Sequence, residues 1–221
     1  MLIDFNALAQ QCAPQVHPST MAALVRVESG FNPYAIGVVG GRLARQPTNA
    51  AEARATVIAL EKAGWNYSMG LAQVNRANLT RYGLTTERVF DPCTNLRAGA
   101  AILSECYGRA KASVPAAGGA LAAALSCYYS GNFSRGQRAD VGGTSYVQRV
   151  AASGRVLQAQ ANTVPAIDVI AQGGGGAPVR ATAGLTPEPV ASGARASSAG
   201  KSEAPVQGQR KSSWDAFGAF R

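Results

Sequence analysis

Apolar residues recur at spacings of three and four in one segment of this chain after another, and almost nowhere do they alternate with polar ones. A helix buries a stripe with that spacing, whereas a half-buried strand needs period two, so the chain is restricted to a mainly α fold. Ser19 or Thr20 opens the first strong helix, and Asn32-Pro33 forbids its continuation. A second helix runs from about Asn49 to Lys62 and stops at Gly64. A third follows Asp91-Pro92, with Leu96, Ala100, Leu103 and Tyr107 on one stripe. A fourth spans about Gly119 to Tyr128, and the last runs from about Thr144 to Gln160 with Tyr146, Val150 and Leu157. Between the first and second, Gly37-Val38-Val39-Gly40-Gly41 is too rich in glycine for a helix and reads as a small hairpin or loop. It is not a phosphate cradle, because no Lys-Ser or Lys-Thr follows it.

The helical pattern stops about two thirds of the way along. From about Thr163 the chain carries Gly173-Gly174-Gly175-Gly176 and then Pro178, Pro187, Pro189 and Pro205, set among Ala, Ser and Gly. Such a segment cannot bury enough surface to offset its ordering entropy. The reading is one folded domain over residues 1–160 and a flexible, low-complexity tail over 161–221. Trp214, Phe217 and Phe220 end that tail at helical spacing, either as a short docking motif or, the plainer reading, as a sticky terminus. The formal charge is +9, most of it in the folded part. A basic balance favours anionic partners: nucleic acid, acidic membranes, or the carboxylate-rich peptides of a bacterial wall. The arginines are scattered, without a dense basic run or interleaved aromatics, so nucleic acid is not the expected partner. No apolar run of about 18 residues occurs, so the chain is not expected to be transmembrane.

Cys12, Cys93, Cys106 and Cys127 include no Cys-x-x-Cys pair, and His17 is the only histidine, so no metal site is expected. If the stretch after Asp91-Pro92 is helical, Cys93 and Cys106 lie about 20 Å apart along it, too far to bridge. Cys12–Cys93 and Cys106–Cys127 is then the expected pairing, which implies an oxidising compartment such as the periplasm; four buried free thiols is the alternative. Met1 to Ala9 hold no Lys or Arg and no long apolar run leads to a cleavage site, so no signal peptide is legible there.

One acid stands out against this background. Met21, Leu24, Val25 and Glu28 fall at i, i+3, i+4 and i+7, which puts a carboxyl group on the stripe that the first helix buries. Gly30 reads as the residue just past the helix end, so Glu28 lies in the last turn, where the helix dipole disfavours a negative charge. Desolvation pushes the same way, and a carboxyl kept protonated near neutral pH is what is needed to donate a proton to a glycosidic oxygen. A structural Glu bonded beneath a loop is the plainer alternative. Downstream, Ser68-Met69-Gly70-Leu71-Ala72-Gln73-Val74-Asn75 sets two amides beside a glycine, which suits recognition of sugar hydroxyl and acetamido groups, or else forms a turn and helix start. Cys127-Tyr128-Tyr129-Ser130-Gly131-Asn132 ends a helix with rings that can stack on a sugar face.

In this order the segments resemble the catalytic domain of the soluble lytic transglycosylases, a lysozyme-like helical fold that cleaves peptidoglycan. Glu28-Ser29 is similar to that family's Glu-Ser signature, Gly70 to Asn75 to its Gly-Leu-x-Gln-x-Asn, and Tyr146 with Val150 to its closing Tyr-x-x-x-Val. The resemblance covers about residues 10 to 155. Cys127-Tyr128-Tyr129 stands where the family has Ala-Tyr-Asn, so Tyr129 replaces the usual Asn. The longer spacing from Ala35 to Tyr67, with Phe31 to Val38 and Gly64-Trp65-Asn66, resembles the VirB-type transglycosylases of type IV secretion and conjugation systems.

The resemblance implies that Glu28 acts first as acid on the bond between N-acetylmuramic acid and N-acetylglucosamine, then as base on the muramyl 6-hydroxyl, giving a 1,6-anhydro sugar. It further implies that Ser29 orients the Glu28 carboxyl, that Gln73 and Asn75 hold sugar substituents, that Tyr128 helps place the acid or the muramyl ring, and that Met69 lines the glycan groove. Tyr146 belongs to the same set. The implied partners are peptidoglycan glycan strands and components of a type IV secretion system, and no metal or organic cofactor is needed. A single Glu in both roles agrees with the absence of a second acid in a comparable context, since Asp91 reads as a cap, Asp140 lies in a polar loop, and Glu52, Glu61, Glu87 and Glu105 look solvated. Three rival readings stay open from sequence: a hydrolytic lysozyme-like muramidase on the same fold, a wall-binding component without catalysis, and a basic nucleic-acid binder.

Overall fold

The computed structural model describes residues 4–114, 119–140 and 142–161. The tail expected over 161–221 and the Trp214, Phe217 and Phe220 cluster lie outside the described residues, apart from Ala161 at its start.

Six helices dominate: α1 (Phe5–Cys12), α2 (Pro18–Ser29), α3 (Ala50–Lys62), α4 (Pro92–Ser113), α5 (Gly119–Ser130) and α6 (Tyr146–Ala161). Helix α2 opens one to two residues before the expected Ser19 or Thr20. Pro18 presets the first-turn φ, and the His17 ring nitrogen Nδ1 accepts from the Ser19 N–H as cap. It ends as expected, with Gly30 left-handed at φ 59°. Asn49 caps α3 and Asp91 caps α4 ahead of Pro92, both through side-chain oxygens on backbone N–H groups. Helix α1 is an addition to the sequence reading. Asp4 caps it, and Ala9 and Cys12 are buried on the face it turns inward.

The glycine-rich segment resolves into a strand. β1 (Ile36–Val38) pairs antiparallel with β2 (Tyr67–Met69), which pairs antiparallel with β3 (Val74–Asn75). The second strand pair replaces the turn and helix start that residues 68–75 allowed. These strands are too short for period two to show in sequence, and the free edge of β1 is closed locally by one side chain. The Gln46 amide accepts from the Ile36 N–H at 2.8 Å and donates to its carbonyl at 3.0 Å.

Helix α4 runs through the middle. Leu96, Ala100 and Leu103 of its expected stripe are fully buried, while Tyr107 packs at the margin of the core. α5 packs along α4, α6 along α2, and α1 bridges α2 and α4. Two disulfides reinforce this arrangement, Cys12–Cys93 and Cys106–Cys127, in the pairing expected from the helix geometry. Among the described residues no helix is long and apolar enough to cross a membrane.

Candidate active site

The C-terminal end of α2, the three-stranded sheet and the end of α5 enclose a groove of about 470 Å³, and Glu28, Ser68, Gln73, Asn75, Tyr128 and Tyr129 are among its lining residues. Glu28 reaches it because Gly30 ends the helix two residues later, leaving the acid half-buried in the last turn. Burial pushes its carboxyl from the usual 4.5 up to about 7, against the opposing pull of a hydrogen bond from Tyr146 and the charge of Arg149. The buried Tyr146 hydroxyl donates a short hydrogen bond to Glu28 Oε1. Beside the acid, the Tyr146 hydroxyl is itself held well above its ordinary pKa by burial first and the nearby carboxyl second, so it stays a donor. Tyr129 lies flat on the Tyr146 ring, centroids 4.7 Å apart and planes within 16°, while leaving half of itself exposed to the groove.

Asn95, absent from the sequence expectations, organises the opposite wall. The residue is fully buried on α4; its Oδ1 accepts from the Ala72 N–H at 2.8 Å, and its Nδ2 donates to the carbonyls of Met69 at 2.9 Å and Val89 at 2.8 Å. That clamp holds the loop between β2 and β3 so close that a Cβ on Gly70, where φ is 79°, would stand 2.3 Å from Asn95 Nδ2. From the other side the Tyr128 hydroxyl donates to the Ala72 carbonyl at 2.5 Å. The loop closes on Gln73 in the left-handed region, φ 47°, an unusual place for a residue with a side chain. Its Nε2 donates to the carbonyls of Gly70 at 2.9 Å and Ala35 at 3.0 Å.

Several expected roles change on this geometry. Ser29 does not orient Glu28: its hydroxyl donates back to the Val25 carbonyl at 3.1 Å, the ordinary bond of a helical serine, and Tyr146 holds the acid instead. Met69 is fully buried among core side chains, because the β2 pleat turns it away from the groove that its neighbour Ser68 lines. Tyr128 holds the loop backbone rather than the carboxyl, although it shares the groove with Glu28. Gln73 and Asn75 do line the groove, but their amide N–H groups are committed to the scaffold. Asn75 Nδ2 donates to Asn66 Oδ1 at 3.0 Å and Ser68 Oγ at 3.3 Å, and its Oδ1 caps the next turn at the Ala77 N–H. The sequence did hold a signal for Asn95, a polar residue on the same buried helix face as Gly99 and Leu103.

Glu28 is the one carboxylate lining the groove among the described residues. Asp91 caps α4, as expected from its place before Pro92. Asp140 pairs with Arg149 at 2.5 Å, Glu52 with Arg45 at 2.7 Å and Glu105 with Arg81 at 2.6 Å. The arrangement therefore supplies one protonatable group, poised near neutrality, in a cleft walled by aromatic rings and amides.

A family model described as the Transglycosylase SLT domain matches residues 5–140. The chain is 56% identical over 167 residues to the type IV secretion system protein virB1 of Brucella suis biovar 1 (strain 1330), covering 75% of this chain and 70% of that protein. It has the same identity and coverage to its namesake in Brucella abortus (strain 2308). It is 36% identical over 143 residues to the protein virB1 of Agrobacterium fabrum (strain C58), covering 60% of this chain and 54% of that one. No solved structure matches the chain. With the family's domain spanning most of the folded residues and relatives 56% identical over 75% of its length, the chain belongs to the transglycosylase SLT family.

Proposed function

We propose that this protein is a peptidoglycan lytic transglycosylase that cleaves the β-1,4 bond between N-acetylmuramic acid and N-acetylglucosamine, forms 1,6-anhydro-N-acetylmuramic acid, and opens the wall locally for assembly of a type IV secretion system. The observation that carries the reading is Glu28: one carboxyl, pushed up to about 7 and held by Tyr146, with no second acid lining the groove among the described residues. Most glycoside hydrolases use a second carboxylate, about 5 Å away as nucleophile or about 6.5–9.5 Å away to activate water. Here the protonated Glu28 gives its proton to the glycosidic oxygen as the C1–O4 bond breaks, and N-acetylglucosamine leaves with a free 4-hydroxyl. The resulting Glu28 carboxylate then takes the proton of the muramyl 6-hydroxyl, whose oxygen closes on C1. The proton returns to Glu28, and no water is consumed.

Tyr146 acts as positioning residue, since its hydroxyl fixes the carboxyl and stabilises it in the ionised half of the cycle. Gln73 and Asn75, their N–H groups already spent, offer side-chain oxygens as acceptors to sugar O–H and N–H groups, and Tyr129 offers a flat surface for a pyranose ring. The matches to virB1 proteins support a partnership with type IV secretion system components, and two disulfides support residence in the periplasm. The test is mass spectrometry of soluble fragments from purified peptidoglycan treated with the protein and with Glu28→Gln. Anhydro-muramyl products that vanish with the variant are expected. Reducing-end muramyl products would mean a hydrolase, and no Glu28-dependent release would leave a wall-binding role.

A further inference from the structure

A second, smaller cavity of about 210 Å³ adjoins the groove, with Tyr129 lining both. Its other walls include Tyr146, Arg135, Arg138 and Asp140. The segment between α5 and α6 that supplies them is built rather than loose. Ser126 Oγ accepts from the Gly136 N–H at 2.8 Å and donates to the Asn132 carbonyl at 2.6 Å, while Asn132 Oδ1 accepts from the N–H groups of Ser134 at 2.8 Å and Arg135 at 3.0 Å. Gly136 lies so close to α5 that a Cβ there would meet Ser126 Cα at 2.8 Å.

A single 3₁₀ turn, Arg135–Gln137, separates the two arginines, which sets them three residues apart on one face. Both side chains are exposed, and neither guanidinium has a hydrogen-bond or carboxylate partner among the described residues. Asp140, the one acid in the cavity, is already neutralised by Arg149 at 2.5 Å. Two uncommitted planar cations therefore face a pocket beside the acid, a donor set that fits a carboxylate. Peptidoglycan carries such a group, because a muramyl residue bears on its lactyl ether a stem peptide with free carboxylates.

We propose that Arg135 and Arg138 form a subsite for a stem-peptide carboxylate on the muramyl residue at the cleavage site, so that the enzyme selects peptide-bearing over denuded glycan. The subsite rests on the reading of the groove as a transglycosylase centre, and the two can fail separately.

The experiment compares anhydro-muramyl release from intact peptidoglycan and from the same glycan stripped of its peptides by an amidase. It uses the full chain, Arg135→Ala/Arg138→Ala and Arg135→Lys/Arg138→Lys. Binding of a soluble disaccharide-peptide and of the bare disaccharide to the Glu28→Gln protein is measured in parallel by calorimetry. The native protein is expected to prefer the peptide-bearing ligand in both assays. The double alanine variant should lose about tenfold of that preference, the double lysine variant, which keeps the charges without the planar fork, should keep only part of it, and added salt should weaken it. An unchanged ratio in the double alanine variant, or no preference in the native protein, overturns the subsite. Absence of anhydro product from either substrate overturns the transglycosylase reading, while the binding ratio still decides the subsite.

Discussion

Replacing Glu28 with Gln should abolish glycan release and, above neutral pH, make the protein more stable. The unfolded chain ionises Glu28 near 4.5, whereas the folded protein holds the proton up to about 7. Below about pH 4.5 both states carry it and burial costs nothing electrostatic. As pH rises the unfolded state loses its proton first, so folding comes to require either a proton or a buried charge. The destabilisation grows through the interval between those values and is complete above about pH 7. Holding the proton from 4.5 up to about 7 costs, at about 1.36 kcal/mol for each tenfold in acidity, about 3 kcal/mol in all. Gln is neutral throughout and keeps an Oε1 to accept from Tyr146, so it escapes that cost.

The assay is thermal unfolding of both proteins by calorimetry at pH 4.5, 6, 7 and 8.5, disulfides intact. Every other titrating group is shared, so the difference between the two curves isolates position 28. The difference should be near zero at pH 4.5 and reach about 6–12 °C in favour of the variant at pH 8.5, at about 2–4 °C per kcal/mol for a domain of this size. A difference that does not vary with pH, or a variant less stable than the native protein at pH 8.5, would refute the desolvation argument. In the native enzyme the same shift should place the alkaline limb of kcat/KM near pH 7, where the free enzyme loses its acid.

Tyr146→Phe removes the hydrogen bond that favours the ionised carboxyl, so the alkaline limb should move to higher pH while kcat falls about 10- to 100-fold, both read from one pH–rate series. Asn95→Ala leaves the Ala72 N–H and the carbonyls of Met69 and Val89 without their partner, and denaturant unfolding should register a loss of about 3 kcal/mol with substrate binding weakened in step. Removing Cys12–Cys93 by double alanine substitution should cost about 4 kcal/mol, and removing Cys106–Cys127 about 3 kcal/mol, because their sequence separations are 81 and 21 residues; equal losses in denaturant unfolding would contradict the loop-entropy account.

The helices were legible because each carries a full stripe and its own punctuation: Asn49 before α3, Asp91-Pro92 before α4, and Gly30 after α2. Helix α1 was equally readable in principle, with Asp4 as cap and Phe5, Leu8, Ala9 and Cys12 at helical spacing, but it spans only 8 residues. The sheet was not legible, since strands of two or three residues hold too little alternation and the β1–β2 pairing joins segments about 30 residues apart. At the site, Glu28 could be found from local pattern because burial and helix-end position are properties of α2 alone. Tyr146 entered the site set only through the resemblance to the family's closing Tyr-x-x-x-Val, because its hydroxyl arrives from 118 residues away and by local pattern alone it reads as an ordinary core aromatic. The role that the resemblance implied for Ser29 is not the contact its hydroxyl makes here, since on a helix the i−4 carbonyl lies within reach and takes it.

An acid that costs the fold stability whenever it ionises must be held by contacts that do not relax around it. Tyr146 is fixed by α6 packing on α2, the helix that carries Glu28, so the donor and the acid move together. The loop bearing Gln73 is bonded to Asn95 on α4 and to Tyr128 on α5, and the Cys106–Cys127 bridge ties those two helices one residue before Tyr128. Cys12–Cys93 ties α1 to α4 two residues before Asn95. The covalent links thus fall where backbone displacement would first loosen the groove. If that is their role, reducing both disulfides should lower kcat at temperatures well below the unfolding midpoint, with secondary structure unchanged by circular dichroism. Activity that persists in full until global unfolding would instead assign the bridges to stability alone.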